Sequence, residues 1–553
     1  MKNPFKKSIS ALFLVFVLAS GSLVVAQSLE QQVDALLSAQ YPADQPGVTA
    51  LVAKDGKVVY RKAFGMANLE LGIPMKPENV LEIGSITKQF TAVAILMLEE
   101  QGKLSVTDPI TTYFPDYPTQ GTVITVHQLL NHTSGIRSYT GMSDFQSQAR
   151  VDMDPLTLID VFKNEPMDFK PGERWLYNNS GYIILGAIIE QVSGMSYAEY
   201  IQKNIFDPLG MSNSYYGSKS NIIPNRASGY QPTESGYRNA DYLSMTLPYA
   251  AGSLMSTVDD MLIWQNALNS NTLIPRARLE KAFVNTTLND GSKTNYGYGW
   301  SIDEVNGVPS IEHGGGIFGY TTYGLHIPSE NVYVAVLHNG NGNSPTDAAV
   351  QIAAIAINKA YPTAATINLN ETQMQQWVGA YEFPEGVVRF ITINNGSLYS
   401  QREGSTALKL NPTSENEFFF DGSFTKYIFK EEGGKRVAYF EDRINKATGH
   451  EIDRNLPEQE SFSEVTLPTE VLANYVGDYE IQPGFQIKIF LEGERLMGQA
   501  TGQDSFEVFA AGDHKFFLKV VQASMVFSVD QNGVATAMEF TQGGRTAPAK
   551  KLD

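Results

Sequence analysis

The sequence contains no cysteine among its 553 residues. That absence excludes disulfides, thiolate nucleophiles and cysteine-based zinc or iron–sulfur sites. Basic residues are also scarce, because 41 Lys and Arg stand against 59 Asp and Glu, for a net charge of −18. A chain this acidic repels phosphate, so we expect no nucleic-acid partner.

Two catalytic signatures are missing as well. The sequence has no Gly-x-Ser-x-Gly nucleophile elbow, which argues against an α/β-hydrolase, and no His-Glu-x-x-His zinc motif. Its seven histidines are scattered without metal-ligand spacing, so we expect no metal and no other cofactor. After the N-terminal segment, no run approaches about 18 apolar residues, so we expect no membrane span in the mature chain.

The N-terminus has the composition of an export signal. Three lysines occur within the first seven residues, an apolar run follows over Ala11–Ala19, and small residues precede Gln27. The apolar run is short for a bilayer span, which favours cleavage, and an uncleaved anchor is the alternative. We therefore predict a signal peptide over residues 1–26 and a protein that is exported, either periplasmic or secreted.

The pattern of apolar residues predicts an α+β core over residues 27–364. Strand patterns occur near both ends of this segment, beginning with a strand–turn–strand unit at 48–66, and helical patterns lie between them. This arrangement predicts an antiparallel sheet that brings both ends together. Helices are predicted at 85–101, 180–192, 256–268 and 346–360, and further strands at 297–303, 320–327 and 331–338.

After about residue 365, alternating strands and short turns replace the helical periods. The five-residue pattern Trp377–Tyr381 returns as Tyr475–Tyr479, an offset of 98 residues, and each copy begins a β-rich stretch. We predict two small antiparallel β-barrels, over residues 371–455 and 469–553, joined by a polar linker at 456–468.

The strongest chemical motif is Ser85-Ile-Thr-Lys88, at the start of a predicted helix. Residues three apart share a helix face, so the Lys88 amine can reach the Ser85 hydroxyl. A serine nucleophile needs a base beside it, and the positive end of a helix dipole favours the neutral form of a lysine placed there. The pattern also arises by chance in a chain of this length, so it is informative only together with other motifs.

Two further clusters follow in sequence order. Tyr177-Asn-Asn179 lies in an extended segment, where alternate side chains can face the same cleft. A phenol can relay a proton, and an amide can hold a carbonyl group or a lysine. In His313-Gly-Gly-Gly316, before a predicted strand, the glycines allow a substrate to approach and leave N–H groups for an oxyanion. Taken singly, each cluster also has a purely structural explanation.

In this order, the three motifs resemble those of the serine β-lactamase and penicillin-binding protein family, in its class C-like, D-aminopeptidase and esterase branch. The family's Ser-x-x-Lys, Tyr-x-Asn and His-x-Gly elements match Ser85–Lys88, Tyr177–Asn179 and His313–Gly315. The resemblance covers residues 30–362 and implies an antiparallel sheet flanked by helices, with a helical subdomain, followed by lipocalin-like barrels. Connecting segments similar to the family's occur at 129–135, 169–173 and 251–257.

The resemblance implies a role for each matching residue. Ser85 would be the acylated nucleophile, and Lys88 would be its partner in proton transfer. Tyr177 would act as general base and acid, and Asn179 would position Lys88 and the substrate amide. His132, which lies in one of the connecting segments, is expected to be structural.

The third motif would supply the remaining substrate-binding residues, His313, Gly315 and Gly316. The Gly316 N–H group would form an oxyanion hole with that of Ser85. β-Lactamases that capture a penicillin carboxylate carry lysine in place of His313, and a neutral imidazole binds a carboxylate less well. This departure favours an esterase, amidase or peptidase over an efficient β-lactamase.

We therefore expect an exported serine hydrolase that forms an acyl-enzyme on ester or amide bonds. Candidate substrates are D-amino-acid peptides, short esters and β-lactams, so the expected partner is a small molecule or a peptide. The alternative is a ligand-binding or cell-wall-binding protein with a vestigial hydrolase core. The presence of Ser85, Lys88 and Tyr177 together argues against that alternative. The sequence leaves the oligomeric state and the role of the barrels open.

Overall fold

The computed structural model describes most of the chain between Gln27 and Leu552. The predicted signal peptide, residues 1–26, and residues 458–463 of the predicted linker lie outside the described residues. The described ranges are 27–142, 145–233, 236–342, 345–361, 366–394, 396–405, 407–420, 423–457, 464–482, 485–501, 505–512, 514–519, 523–542 and 545–552.

A six-stranded antiparallel sheet organises the N-terminal part of the chain. The apolar strand Val48–Lys54 has six buried residues out of seven and pairs on one side with Lys57–Phe64. On its other side it pairs with Val332–His338, so strands from both ends of the segment are neighbours, as the sequence predicts. The sheet order is Ser301–Val305, Val308–Ile317, Tyr320–Ile327, Val332–His338, Val48–Lys54 and Lys57–Phe64.

Helices cover both faces of this sheet, because alternate residues of its central strands point to opposite sides. Helices Leu29–Gln40 and Pro345–Ala356 pack on one face with Val332, Val334 and Val336. The larger core lies on the other face, around Thr87–Glu100, which is buried along nearly its whole length. The remaining α-helices of this part are Val126–Leu130, Phe145–Gln148, Pro155–Phe162, Asn179–Ser193, Tyr197–Ile201, Asp207–Leu209, Tyr249–Gly252, Val258–Leu268 and Arg276–Leu279. None of the helices in the described ranges is long and apolar enough to cross a bilayer.

Two predictions for this part are wrong in detail. The strand predicted at 297–303 begins only at Ser301, because Gly299 takes a left-handed conformation with φ of +79° inside a turn. The glycine run 313–316, predicted to precede a strand, lies inside the strand Val308–Ile317 and pairs with Tyr320–Ile327. Glycine is unfavourable within strands, so the residues of the glycine run do not predict a strand there. The strand is recognised from its pairing with Tyr320–Ile327.

Two antiparallel β-barrels follow the core, so the predicted fold class is confirmed. The first is a closed barrel of eight strands, and the second is a nine-stranded sheet that is nearly closed. The first comprises Gly379–Phe383, Val387–Asn394, Ser397–Arg402, Leu408–Pro412, Glu417–Phe419, Lys426–Glu432, Lys435–Glu441 and Lys446–Ile452. The second comprises Gly477–Gln482, Phe485–Glu492, Arg495–Ala500, Ser505–Glu507, Phe509–Gly512, Lys515–Leu518, Ala523–Val529, Ala535–Gln542 and Arg545–Lys551.

The repeated five-residue pattern makes the same contact in both barrels. The Tyr381 hydroxyl donates a hydrogen bond to the Trp377 carbonyl at 2.9 Å, and the Tyr479 hydroxyl donates to the Tyr475 carbonyl at 2.8 Å. Both tyrosine side chains are fully buried. In each barrel a tyrosine therefore fastens the first strand to the turn that precedes it.

The described ends of the predicted linker pack on the barrels. Leu456 packs against an apolar cluster of the first barrel that includes Ala380 and Phe390. The Val465 N–H group donates to the Ala510 carbonyl of the second barrel at 2.9 Å. The described residues at each end are thus part of a barrel surface.

We predict that Tyr381→Phe weakens the first barrel by about 1 kcal/mol, because it leaves the buried Trp377 carbonyl without its donor. In the full chain, hydrogen exchange of peptides from the first barrel should become about five-fold faster. Tyr439→Phe is the matched control, since the Tyr439 hydroxyl donates to Glu432 at the surface of the same barrel. Equal exchange in the two variants would contradict the prediction.

Candidate active site

Ser85 lies at the start of a core helix that is buried along nearly its whole length. The helix predicted at 85–101 begins with a tighter 3-10 turn, Gly84–Ile86, and continues as the α-helix Thr87–Glu100. Gly84 has a φ of +51°, a conformation that glycine adopts without strain. Ser85 is partly exposed although both of its neighbours are buried, so a substrate can reach its hydroxyl.

The Lys88 amine is fully buried and lies next to that hydroxyl. Its Nζ atom is 3.1 Å from Ser85 Oγ, 2.8 Å from Asn179 Oδ1 and 2.8 Å from the Ala251 carbonyl oxygen. Burial lowers the pKa of Lys88 well below its ordinary value, which favours the neutral amine. A neutral amine has two N–H bonds and one lone pair, and the two carbonyl oxygens can only accept. The lone pair is therefore left for the proton of the Ser85 hydroxyl.

Asn179 is held so that its oxygen faces Lys88. It is the first residue of the helix Asn179–Ser193. Its Nδ2 donates to Thr140 Oγ1 at 3.0 Å, and its backbone N–H donates to Ser138 Oγ at 3.2 Å. With the amide nitrogen bound on one side, Oδ1 is fixed on the other side as an acceptor for the amine.

Tyr177 is positioned by hydrogen bonds on both of its neighbours. The Leu176 N–H group donates to the His132 carbonyl at 3.1 Å, and the Asn178 N–H group donates to His132 Nδ1 at 3.2 Å. The Tyr177 ring centroid then lies 4.8 Å from Lys88 Nζ. His132 therefore supports the tyrosine segment, a contact that its sequence position does not reveal.

The Tyr177 hydroxyl is protonated and, among the described residues, has no hydrogen-bond partner at ordinary distance. Burial raises the pKa of Tyr177, and the Ser85 hydroxyl beside it only partly opposes that rise. Among the residues that the structure describes, none forms a hydrogen bond with this buried oxygen. The phenol is thus available to a group that enters the site.

His313 is a neutral histidine with both ring nitrogens engaged. Burial, together with the nearby Lys88, lowers the pKa of His313 to about 3. Its Nδ1 lies 2.6 Å from the Gly314 carbonyl oxygen, which can only accept, so Nδ1 carries the proton. Its Nε2, 2.8 Å from the Tyr296 hydroxyl, must then accept. The sequence gives no signal for Tyr296, which is fully buried and precedes the first strand of the sheet order by five residues.

The glycines after His313 let two backbones meet. The strand Val308–Ile317 pairs with Ser301–Val305 only as far as Glu312. Beyond Glu312, the strand Val308–Ile317 lies against the turn that carries Ser85. A Cβ atom on Gly315 would lie 2.0 Å from the Ile83 carbonyl oxygen, and one on Gly84 would lie 2.9 Å from the Gly316 nitrogen. Only glycine permits this approach, which brings the Gly316 N–H group next to the serine turn.

The structure thus gathers all of the predicted site residues into one cluster. Ser85, Lys88 and Asn179 are joined by hydrogen bonds, and the rings of Tyr177 and His313 lie 6.0 Å apart. Within the described ranges, no group of three Asp, Glu or His side chains is arranged to hold a metal ion. The arrangement suits acyl transfer, since a nucleophile, a neutral base, a proton donor and a free backbone edge converge.

The chain is similar to known families and to solved structures. The family described as Beta-lactamase matches residues 29–357, and one described as "Domain of unknown function (DUF3471)" matches residues 462–550. The octameric penicillin-binding protein homologue from Pyrococcus abyssi has 29% sequence identity and a TM-score of 0.55, covering 76% of this chain and 99% of its own.

Two curated relatives extend the comparison. Penicillin-binding protein 4* of Bacillus subtilis (strain 168) is 31% identical over 423 residues, which is 71% of this chain and 92% of the relative. A D-aminopeptidase of Gluconobacter oxydans (strain 621H) is 29% identical over 60% of this chain and 62% of its own length. With the family match across more than half of its length, the chain belongs to the Beta-lactamase family.

Proposed function

We propose that this protein is a serine hydrolase that cleaves amide or ester bonds through an acyl-enzyme on Ser85. The observation that carries the proposal is the buried Lys88 amine, whose N–H bonds are used by two carbonyl oxygens and whose lone pair is left for Ser85. The similarity to a D-aminopeptidase supports amide substrates. The export features of residues 1–26 support action outside the cytoplasm.

In the acylation step, Ser85 Oγ attacks the substrate carbonyl carbon and passes its proton to Lys88. The carbonyl oxygen becomes an oxyanion, which the N–H groups of Ser85 and Gly316 are positioned to bind. The protonated Tyr177 phenol donates a proton to the leaving amine or alkoxide. When the C–N or C–O bond breaks, the acyl group remains on Ser85.

In the deacylation step, water attacks the acyl carbon and restores Ser85. One water proton restores the Tyr177 phenol, and the Lys88 ammonium returns its proton to the departing Ser85 oxygen. The net reaction consumes one water and releases an acid and an amine or alcohol. The pKa of Lys88 is lowered and that of Tyr177 is raised. The general base of acylation in this proposal is therefore Lys88, whereas the sequence resemblance assigns that role to Tyr177.

The neutral His313 defines the proposed substrate class. With its Nδ1–H and its Nε2 both engaged, the imidazole offers neither a positive charge nor a free N–H group to a substrate. A carboxylate placed there would lose hydration without gaining a cationic partner. We therefore propose amides and esters that carry no carboxylate beside the scissile bond, with β-lactams as poorer substrates.

Ser85→Ala should abolish covalent labelling by a fluorescent penicillin or a fluorophosphonate and lower turnover by at least about 10⁴-fold. Ser220→Ala, an exposed serine outside the site, is the matched control and should be labelled like the wild type. Labelling of Ser85→Ala at the wild-type level would reject the nucleophile. If no ester, amide or β-lactam were turned over while the barrels bound a ligand, the vestigial core would be the better interpretation.

The acylation rate should fall at low pH, as the lowered pKa of Lys88 is crossed and the base becomes protonated. Because that pKa lies well below 10.5, the rise with pH should be complete below the range of an ordinary lysine. Lys88→Arg keeps its proton at all accessible pH values and should lose acylation throughout. Stopped-flow acylation from pH 4 to 10 measures this, and a midpoint near the ordinary lysine value would contradict the assignment.

Substrates without a carboxylate should be preferred. We expect kcat/KM for p-nitrophenyl butyrate and for D-alanyl p-nitroanilide to exceed that for nitrocefin, by at least about ten-fold, which corresponds to one lost charged hydrogen bond. Parallel steady-state assays at one pH provide the comparison. A preference for nitrocefin would show that another cation receives the carboxylate.

A further inference from the structure

One arginine of the first barrel reaches into the core. Arg443 lies in the turn between the barrel strands Lys435–Glu441 and Lys446–Ile452. The Asp442 carboxylate shapes this turn by accepting hydrogen bonds from the N–H groups of Ile444 at 3.0 Å and Asn445 at 2.7 Å. These hydrogen bonds fix the turn that carries Arg443, which lies between Asp442 and Ile444.

Within the described part of the chain, the Arg443 side chain forms its hydrogen bonds with the core. Its Nη1 and Nη2 donate to the two oxygens of Glu312 at 2.7 and 3.0 Å, and Nε and Nη2 donate to the Glu304 carbonyl at 2.8 and 2.6 Å. Asp303 lies 3.4 Å from Nη2, at the side of the same pocket. Only 9% of the arginine side chain is exposed.

Glu312 is the residue before His313 on the active-site strand. Its side chain is 1% exposed, and it also accepts hydrogen bonds from the hydroxyls of Tyr323 at 2.7 Å and Ser310 at 3.1 Å. A buried carboxylate is costly unless a cation and further donors surround it. In this pocket the guanidinium of Arg443 provides that positive charge from another domain.

The position of Glu312 along the strand connects this ion pair with the site. Glu312 pairs with Ser301 on one side and Leu325 on the other, and it is the last residue held from both sides. The next four residues carry the neutral imidazole and the N–H edge that faces the serine turn. Gly315 lies so close to the Ile83 carbonyl that the strand has no room to shift towards it. Small movements of the strand therefore change the geometry of the site.

We propose that Arg443 is a positioning residue: the first barrel supplies the charge that keeps Glu312 buried, and Glu312 fixes the strand that presents His313 and Gly316 to the substrate. The inference rests on the proposed hydrolase function only where acylation is measured. The role of Arg443 in holding the strand does not depend on that function. In this arrangement the barrel completes the catalytic core, and its contact acts through the strand without touching the substrate.

The charges around the pair define a pH signature. The Asp303 pKa is raised to about 6 by burial and by Glu312, and burial raises the Asp347 pKa while Arg443 opposes the rise. Among the described residues, the other titratable groups around the pocket are Glu304, Asp442, Tyr323 and Tyr361. Without the guanidinium, Asp303 and Glu312 would face each other in the core with no cation between them. The repulsion would disturb the strand less at pH 6, where Asp303 is partly protonated, than at pH 8.

The test compares Arg443→Met with the double variant Glu312→Gln/Arg443→Met in the full chain. The single variant should acylate about ten-fold more slowly than wild type at pH 8 and less so at pH 6, through kcat more than KM. The double variant lacks the buried carboxylate and should recover to within about three-fold at both pH values. Arg454→Met is the control, because Arg454 pairs with the exposed Glu403 on the same barrel.

A second readout is hydrogen exchange of peptides spanning the strand Val308–Ile317, which should quicken in Arg443→Met and recover in the double variant. If Arg443 only holds the two domains together, Arg443→Met should be less stable than wild type. The acylation rate and pH profile of its folded fraction should then be unchanged. That result would overturn the proposal. If Arg443→Met does not fold, Arg443→Lys compared with the double variant decides in the same way. If wild type shows no acylation, the hydrolase proposal fails while the exchange result still decides the role of Arg443.

Discussion

The site depends on one lysine side chain that is buried without a counter-ion. Two carbonyl oxygens and the serine hydroxyl surround Lys88 Nζ, and no carboxylate is among its hydrogen-bond partners in the described structure. Desolvation therefore favours the neutral amine. The surrounding groups follow from this requirement: the helix buries the lysine, Asn179 and Ala251 use its N–H bonds, and the positions where a charge would disturb it hold a neutral phenol and a neutral imidazole.

The short-range part of this site could be predicted from the sequence. Ser85 and Lys88 are three residues apart on one helix, and Tyr177 and Asn179 are two apart before another, so local geometry relates the members of each pair. The two pairs occur in the same order as the motifs of the β-lactamase family. That resemblance predicts that they lie in one site. The same local reasoning found the fold class, because the strands have clear apolar patterns and the repeat of 98 residues marks the two barrels.

The long-range part could not be predicted. Tyr296 meets His313 through a buried hydrogen bond, and the His132 segment binds both neighbours of Tyr177 from more than forty residues away. Arg443 reaches Glu312 across 131 residues and a domain boundary. Such contacts have no period and no composition signal, because they depend on how finished elements pack. The strands Ser301–Val305 and Val308–Ile317 stop pairing at Glu312. This end point depends on how the sheet is assembled, and the sequence of the glycine run does not predict it.

The close approach of Gly84 to Gly316 has a consequence for redesigning the proposed active site. Main chain touches main chain at this point, so the spacing between the serine turn and the strand edge is independent of any side chain. If the proposed hydrolase function holds, the surrounding loops can vary in sequence and select different acyl groups while the spacing of the two backbones stays constant. A library that spares these glycines and varies the rim would explore specificity without losing the chemistry.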